Sequence, residues 1–306
     1  MQKLVVITGP TATGKTGLAI LLAKRFDAEI ISADSMQVYR QFDIGTAKPT
    51  EEERQEIPHH LIDVAMPVEA FDAARFKQMA DDKIADIAQK GRQVFVVGGT
   101  GLYIRALLHG LQKGPSPDPA LRAQITNQAK TEGWPTMHHQ LREKDPVTAE
   151  RLHPNDGVRI LRALEVVMSS GIPISQWHDD HQFEETRYDA CLLCLERPRA
   201  ALNTIINHRV NQMMEMGFLE ETKTLLDAGY TVDLKPMQGL GYRRLASHIH
   251  GDLTLDEAIE KTKTDTRRFA KRQVTWFKKE PGIIRVPPEL DALLPHVERH
   301  LSDRTY

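Results

Sequence analysis

A glycine-bounded loop near the N-terminus has the residue types that bind phosphate. The segment Gly9–Thr16 reads GPTATGKT and fits the pattern G-x-x-x-x-G-K-[ST]. The glycines let backbone N–H groups turn towards phosphate oxygens, the lysine adds a positive charge, and the last hydroxyl can coordinate Mg²⁺. Such a loop suits ATP, GTP or any diphosphate ester. We therefore expect a diphosphate or polyphosphate group to be bound by Gly9, Pro10, Thr11, Ala12, Thr13, Gly14, Lys15 and Thr16.

Two polar side chains are expected beside the bound phosphate. Asp34 follows the apolar segment Glu29–Ala33, and Thr100 follows Gln93–Val97 and a glycine pair. Because ligands of parallel sheets bind at the carboxyl ends of the strands, both side chains should face the loop. A carboxylate there can accept a proton from an incoming nucleophile. Motor and switch NTPases normally carry an acidic magnesium ligand where this chain has two glycines, which argues against those classes.

Basic and aromatic residues are concentrated in the C-terminal third of the chain. Residues 267–279 read RRFAKRQVTWFKK, and residues 238–244 read QGLGYRR. Arg159 and Arg162 form a third basic cluster. A nucleic-acid backbone would attract such surfaces, although the whole chain has a formal net charge of only −2. The alternative interpretation is a solvated helix face whose aromatic residues lie in the core.

Strands and helices alternate in the part of the chain that must position these groups. Short apolar runs rich in β-branched residues predict strands at Lys3–Thr8, Glu29–Ala33 and Gln93–Val97. Apolar residues at helical spacing predict helices at Thr16–Phe26 and Phe71–Gln89. This alternation predicts an α/β fold, with a P-loop parallel sheet flanked by helices on both faces.

A change of pattern at residues 114–119, which read GPSPDP, marks a domain boundary. Only helical segments follow, and Asp156–Ser170 is the clearest. A strand is again expected at Cys191–Leu195, where the C-x-x-C pair lacks two further metal ligands and is better explained as part of a buried strand. We predict a catalytic core of residues 1–117 and 188–306, and an all-helical insertion at 118–187.

The composition is that of an ordinary globular protein. The 306 residues are 41% hydrophobic, and no run of about 18 apolar residues would span a membrane. The N-terminus leads directly into a strand, with none of the features of a signal peptide. We therefore expect a cytoplasmic location.

Eight ordered segments resemble the bacterial tRNA dimethylallyltransferase (tRNA isopentenyltransferase) family. They are GPTATGKT at 9–16, DSMQVY at 34–39, DIGTAKP at 43–49, PHHLID at 58–63, GGTGLY at 98–103, RALEV at 162–166, GLGYR at 239–243 and KRQVTWF at 271–277. The resemblance implies transfer of a dimethylallyl group from dimethylallyl diphosphate to N6 of adenosine 37 in tRNA, with release of diphosphate.

The same resemblance implies roles for individual residues. Asp34 would accept the N6 proton, Thr100 would lie at the reacting centre, Arg209 would bind diphosphate, and Thr16 would coordinate Mg²⁺. The helical insertion would grip the anticodon arm of the tRNA, and the enzyme is expected to be a monomer. Contacts with tRNA are implied for Asp34, Ser35, Met36, Gln37, Thr100, Arg159, Arg162, Gln238, Gly239, Gly241, Tyr242, Arg243, Lys271, Arg272, Gln273, Thr275, Trp276 and Lys278.

Two other functions fit part of the sequence. A P-loop small-molecule kinase would share the loop, the acidic residue after the second strand and the later glycines, but it has no use for the basic helix and the insertion. A non-catalytic RNA-binding protein would leave Asp34 and the phosphate loop unexplained. A requirement for ATP and a small alcohol would identify the kinase.

Overall fold

A six-stranded parallel sheet forms the centre of the larger of two compact units in the computed structural model, which describes residues 1–111, 114–116, 118–181 and 185–302. The spatial order of the strands is β3-β2-β4-β1-β5-β6, and every neighbouring pair is parallel. The strands are β1 (Lys3–Thr8), β2 (Ala28–Ser32), β3 (His59–His60), β4 (Gln93–Val97), β5 (Asp189–Leu195) and β6 (Ile284–Val286). The predicted parallel sheet is confirmed.

Continuous apolar sequence explains the central strands. In β1, Val5 pairs with Phe95 of β4 on one side and with Cys191 of β5 on the other. All three side chains are buried in one apolar cluster, as expected for a parallel sheet covered on both faces. Cys194 is buried in the same strand as Cys191. The edge strands β3 and β6 were not predicted, because two or three residues carry no readable periodicity.

Four helices belong to the first third of the chain. Helix α1 follows the phosphate loop directly and buries Ala19, Leu22 and Ala23 against the sheet. Asp72 accepts hydrogen bonds from the backbone amides of Ala74 and Arg75 and so caps the start of α3. The four are α1 (Lys15–Arg25), α2 (Glu51–Glu56), α3 (Ala73–Gln89) and α4 (Gly101–His109).

Residues 109–185 form the second compact unit, and the described part of it is helical. The helices are α5 (Pro119–Glu132), α6 (Trp134–Lys144), α7 (Pro146–Arg151), α8 (Gly157–Ser170) and α9 (Ile174–His181). Its own apolar core includes Ile125, Leu141 and Leu164. Inside this unit the buried carboxylate of Glu165 pairs with Arg122 and Arg162. The unit is two residues shorter at its C-terminal end than the predicted insertion, 118–187, and begins nine residues earlier.

Five helices complete the larger unit. They are α10 (Arg199–Glu215), α11 (Phe218–Asp227), α12 (Tyr242–Ile249), α13 (Leu255–Phe277) and α14 (Leu290–Ser302), with a 3-10 turn at Pro236–Gln238. Gly217, at a φ of 96°, separates α10 from α11 in a left-handed conformation that favours glycine. Helix α14, which was not predicted, buries Leu293 and Val297 in the core beside α1. Within the described ranges, no helix is both long and apolar enough to cross a membrane.

Candidate active site

The phosphate loop lies at the carboxyl end of the central strand β1 and leads into α1. Gly9 has a φ of 134°, and a Cβ atom at this position would lie 2.6 Å from the carbonyl oxygen of Leu195. Gly14 precedes the first turn of α1 with a φ of 87°. Ala12 has a φ of 66°, a left-handed conformation that non-glycine residues rarely adopt. The turns of this loop therefore depend on the two glycines at its ends and on a strained residue between them.

The Lys15 side chain curls back over the loop that it follows. Its Nζ atom donates hydrogen bonds to the carbonyl oxygens of Gly9, at 3.0 Å, and Pro10, at 2.8 Å. Burial lowers the pKa of Lys15 to about 8, while the nearby charge of Asp34 acts in the opposite direction. The ammonium group is thus positioned at the loop and stays mostly protonated at neutral pH.

Asp34 lies two residues after the end of β2, and its carboxylate is oriented by the turn that follows it. The Oδ1 atom accepts a hydrogen bond from the Met36 amide at 2.8 Å. In the next residues the Gln37 side chain accepts a hydrogen bond from Ser32 and donates to the carbonyl of Ala47, so its amide is already used within the protein. Both Ser35 and Met36 line the cavity that Asp34 also lines.

Thr100 is brought next to Asp34 by a close contact between the ends of β2 and β4. Its Oγ1 atom accepts a hydrogen bond from the Ser35 amide at 3.0 Å, and its own amide donates to Ala33. A Cβ atom on Gly98 would lie 2.2 Å from the Ala33 carbonyl oxygen, so only glycine permits this approach. Gly98 is therefore required for packing at the position where motor and switch NTPases carry an acidic magnesium ligand.

Arg209 projects from α10 towards Asp34 and the phosphate loop. Burial lowers its pKa, while the charge of Asp34 raises it, and the Arg209 charge in turn lowers the pKa of Lys15. No hydrogen bond or ion pair joins Arg209 to another residue in the ranges that the structure describes. A largely desolvated cation without such a partner is well suited to bind an anionic ligand.

Two adjoining cavities bring these groups together. One of about 270 Å³ lies over the phosphate loop and is lined by Lys15, Thr16, Asp34 and Arg209. The other, of about 340 Å³, shares Asp34 and Arg209, contains Thr100, and has an apolar part. The apolar side chains are those of Ile206, Val210, Met213, Phe218, Leu240 and Phe269. The arrangement can hold an anionic ester at one end and a hydrocarbon group at the other, next to a carboxylate.

Two residues of α13 that are expected to contact tRNA support this site from within the protein. The Gln273 side chain, 7% exposed, accepts a hydrogen bond from the Thr11 amide and donates one to the Gly99 carbonyl, both at 2.9 Å. Trp276 packs so closely on Gly101 that an added Cβ atom would lie 2.1 Å from the indole nitrogen. Their contact with tRNA stays a prediction, and the observed contacts already assign each side chain a packing role.

The other face of α13 is exposed and positively charged. Lys271, Arg272, Thr275 and Lys278 are all exposed. In the described part of the chain, Lys271 and Lys278 have no ion pair. The guanidinium group of Arg272 lies 5.7 Å from the centre of the Phe269 ring. These residues have the exposure and charge required to contact a phosphate backbone.

The segment before α12 has a more internal position than its sequence suggested. Gly239 lies against Met36, and a Cβ atom on Gly241 would lie 2.3 Å from the Phe218 ring. Arg243 donates to Asp265, which also binds Arg244. Gln238, Gly239, Gly241 and Tyr242 line the larger of the two cavities. Tyr242 is only 1% exposed, and its hydroxyl donates to Glu221.

The basic residues of the insertion unit differ in their surroundings. The side chain of Arg159 is 68% exposed and pairs with Asp156, one turn earlier on the chain, at 2.5 Å. Arg162 binds the buried Glu165 at 2.7 Å and donates to the Pro115 carbonyl. Arg159 is accessible to a ligand, whereas Arg162 has partners within its own unit.

Glu221 and Asp265 were not singled out from the sequence. Glu221 accepts a hydrogen bond from the Asp43 amide, 178 residues earlier, and Asp265 accepts one from Arg243, 22 residues earlier. No local sequence pattern could have identified either residue. An acidic residue facing inward from an otherwise amphipathic helix was the only available signal.

Several known proteins are similar to this chain. The sequence profile of the IPP transferase family matches residues 37–280. The tRNA dimethylallyltransferase 2 of Geotalea uraniireducens (strain Rf4) is 49% identical over 297 residues, covering 96% of each chain. The full-length tRNA isopentenylpyrophosphate transferase of Bacillus halodurans is 38% identical, with a TM-score of 0.71 over 98% of this chain and 95% of that one. A eukaryotic dimethylallyltransferase acting on tRNA is 30% identical, with a TM-score of 0.82 over 98% of this chain and 78% of the other.

Proposed function

Because the chain belongs to the IPP transferase family, we propose that it transfers a dimethylallyl group from dimethylallyl diphosphate to N6 of adenosine 37 in tRNA. Membership confirms the family predicted from the eight sequence segments, and it favours prenyl transfer to tRNA over the small-molecule kinase. The observation that carries the mechanism is the grouping of Lys15, Arg209 and Asp34 around adjoining cavities with a phosphate-binding end and an apolar end.

The positive groups of the site would stabilise the leaving group. As the allylic C–O bond breaks, positive charge develops on carbon and the diphosphate gains negative charge. Lys15 and Arg209 both line the cavity that the diphosphate would occupy, so positive charge is already in place where the negative charge develops. The apolar side chains of the larger cavity would enclose the five-carbon group and exclude water from the developing cation.

Asp34 is the residue that we assign as proton acceptor. The exocyclic amine of adenine is a weak nucleophile, and it must lose a proton as the new N–C bond forms. The Met36 amide donates a hydrogen bond to one carboxylate oxygen of Asp34, and among the described residues no hydrogen bond reaches the second oxygen. Proton transfer to a carboxylate oriented in this way typically accelerates a reaction by about 10²–10⁴-fold.

Mg²⁺ is proposed as the cofactor, held by Thr16 and by oxygens of the diphosphate. The residues present fit this ion, because Thr16 and Asp34 offer oxygen donors to the same cavity. Among the residues that the structure describes, no group of three or more His, Cys, Asp or Glu side chains could hold a metal by itself. A magnesium ion that relies on substrate phosphates is consistent with this donor set, and when bound it would neutralise part of the diphosphate charge.

The exposed basic face of α13 is the surface that we propose for tRNA. Its lysines would contact phosphates, while the target adenine leaves its stack to enter the larger cavity. Extruding a base requires a few kcal/mol, and least in a single-stranded loop, which suits a target in the anticodon arm. The monomeric state, the cytoplasmic location and the grip of the insertion on tRNA stay predictions.

One assay tests the function. The protein is incubated with labelled dimethylallyl diphosphate, Mg²⁺ and unmodified tRNA, and the label in tRNA is measured. We expect transfer by the wild type and a loss of at least about 10²-fold for Asp34→Ala. Asp227→Ala, which removes an exposed carboxylate of α11, is the matched control and should transfer normally. Transfer of phosphate from ATP to a small alcohol, without label in tRNA, would instead support a kinase.

A further inference from the structure

Glu221, on α11, binds a loop that forms one wall of the proposed donor site. Its carboxylate accepts hydrogen bonds from three successive backbone amides, those of Asp43 at 3.1 Å, Ile44 at 2.8 Å and Gly45 at 3.2 Å. Hydrogen bonds to an ionised carboxylate are stronger than those between neutral groups. We call residues 43–48 the wall loop. One side chain thus fixes half of the wall loop from a helix far away in sequence.

Tyr242 also binds the Glu221 carboxylate and fixes its position. The tyrosine hydroxyl donates to Glu221 Oε1 at 2.5 Å. Burial, followed by the nearby carboxylate, raises the pKa of Tyr242, so the hydroxyl remains a donor. The Tyr242 ring lies edge-on to Phe218, with 4.9 Å between ring centres. A Cβ atom on Gly45 would lie 2.2 Å from Phe218 and 2.6 Å from Tyr242, so the wall loop has one tightly fitted position against this support.

The opposite side of the wall loop is anchored independently. Gln37 donates from its side-chain amide to the Ala47 carbonyl at 3.1 Å. Lys48 donates to the Tyr39 carbonyl and to Asp63, both at 2.6 Å. Ala47 has a φ of 50°, a conformation that persists only when the surrounding structure enforces it. The loop is therefore held in an unfavourable conformation by contacts at both ends.

The wall loop separates two cavities. Gly45, Thr46 and Ala47 line the larger of the two active-site cavities, with Asp34 and Arg209. Residues Asp43, Ile44, Ala47 and Lys48 line a further cavity of about 650 Å³. Ala47, Arg209 and Met213 belong to both linings, so the two spaces meet at this wall. If the wall loop were displaced, the active-site cavity of about 340 Å³ would open into the cavity of about 650 Å³.

We propose that Glu221 is a positioning residue that holds the wall loop in place and thereby limits the length of the prenyl group that the site accepts. This inference rests on the proposed function, since it requires a prenyl diphosphate as donor. Loss of the Glu221 carboxylate would free three amides and let the wall loop move away from the cavity that Gly45, Thr46 and Ala47 line. The cavity would then fit a five-carbon group less well and admit a longer one.

The test compares Glu221→Ala, Glu221→Gln and Tyr242→Phe with Glu220→Ala. Glu220 is the exposed neighbour on the same helix and carries the same charge, so its variant is the matched control. For each protein we would measure KM for dimethylallyl diphosphate, KM for tRNA, and relative transfer of a geranyl (ten-carbon) and a dimethylallyl group. Hydrogen exchange at the amides of residues 43–45 would report on the loop without requiring turnover.

We expect the donor KM of Glu221→Ala to rise roughly tenfold, the loss expected for about one charge-assisted hydrogen bond. The relative transfer of geranyl should rise, the tRNA KM should stay within about twofold, and loop amides should exchange faster. Glu221→Gln, which retains one acceptor oxygen, should recover part of the loss. Tyr242→Phe should show a smaller effect of the same kind, and Glu220→Ala none.

The outcomes separate the two proposals. If the wild type transfers no prenyl group, the proposed function is wrong. If hydrogen exchange at residues 43–45 is unchanged in Glu221→Ala, the role of Glu221 is wrong, whatever the activity. If the wild type is active and Glu221→Ala matches Glu220→Ala in donor KM and geranyl transfer, the inference is wrong. If circular dichroism shows that Glu221→Ala does not fold, the same measurements are made on Tyr242→Phe. Wild-type values of donor KM, geranyl transfer and amide exchange in Tyr242→Phe would then overturn the inference.

Discussion

Replacing Gln273 by methionine should reduce the rate of prenyl transfer while leaving tRNA affinity unchanged. The Gln273 amide joins two loops of the site, since its oxygen accepts from the Thr11 amide and its nitrogen donates to the Gly99 carbonyl. Methionine has a similar length and fills similar space, but it offers neither a strong donor nor a strong acceptor. The variant therefore removes the two hydrogen bonds with little change in volume.

The size of the effect follows from these contacts. Leaving a buried donor or acceptor without a partner costs about 1–3 kcal/mol for each group, so full loss at both ends would cost about 2–6 kcal/mol. Because Gln273 lines both adjoining cavities and is not enclosed on every side, we expect the lower end of that range. A loss of about 2 kcal/mol in transition-state stabilisation corresponds to roughly 30-fold in rate. One of the two loops is the phosphate loop, and the other carries Thr100. The lost hydrogen bonds should therefore lower the rate of prenyl transfer.

Single-turnover transfer and tRNA binding measure the two quantities separately. The rate would be followed with saturating dimethylallyl diphosphate and tRNA, and the tRNA Kd by fluorescence anisotropy. Lys278→Gln is the contrasting variant, because Lys278 is exposed directly after the last residue of the same helix and should affect tRNA affinity alone. A Gln273→Met protein that keeps its rate but loses tRNA affinity would refute this reasoning and support the tRNA contact predicted from the sequence.

Three other changes test different parts of the structure. Lys278→Gln should lower the slope of log Kd for tRNA against log salt concentration by about one, as expected for one lost phosphate contact, and an unchanged slope would place Lys278 off the RNA. Gly101→Ala should lower the free energy of urea unfolding by about 1–3 kcal/mol through its clash with Trp276, and a wild-type midpoint would contradict the packing described here. Asp81→Asn tests a pH effect: burial opposes ionisation of Asp81, but bonds from Arg187, Tyr188 and Lys77 outweigh it and lower the pKa. The stability difference from wild type should therefore be full above about pH 4 and vanish as the pH falls below it, and a constant difference from pH 7 to 2 would exclude this cause.

The order and type of the central elements could be predicted because their signals are local. Apolar runs identified four of the six strands, and Asp156–Ser170 was predicted within one residue of α8. The edge strands and the helices α2, α4, α12 and α14 were missed. A strand of two or three residues is defined only by its partner, and the apolar face of α14 is buried only because β1, β5 and α1 cover it.

The sequence by itself determined the chemistry available to this protein. Gly9–Thr16 is a continuous segment whose glycines, lysine and hydroxyl act together through the backbone of one turn, so their spacing reports their function. Asp34 was identified by its place after a strand, because the topology of parallel sheets puts strand ends at one edge.

Only the tertiary structure decided which side chains hold the site together from within the protein. Gln273 and Tyr242 belong to segments for which the family resemblance implies contact with tRNA. In the folded protein Gln273 joins Thr11 to Gly99, and Tyr242 supports Glu221. The physical reason is that a polar side chain is equally able to bond to RNA or to a buried amide. Its direction depends on contacts up to 262 residues away along the chain, and those exist only after folding.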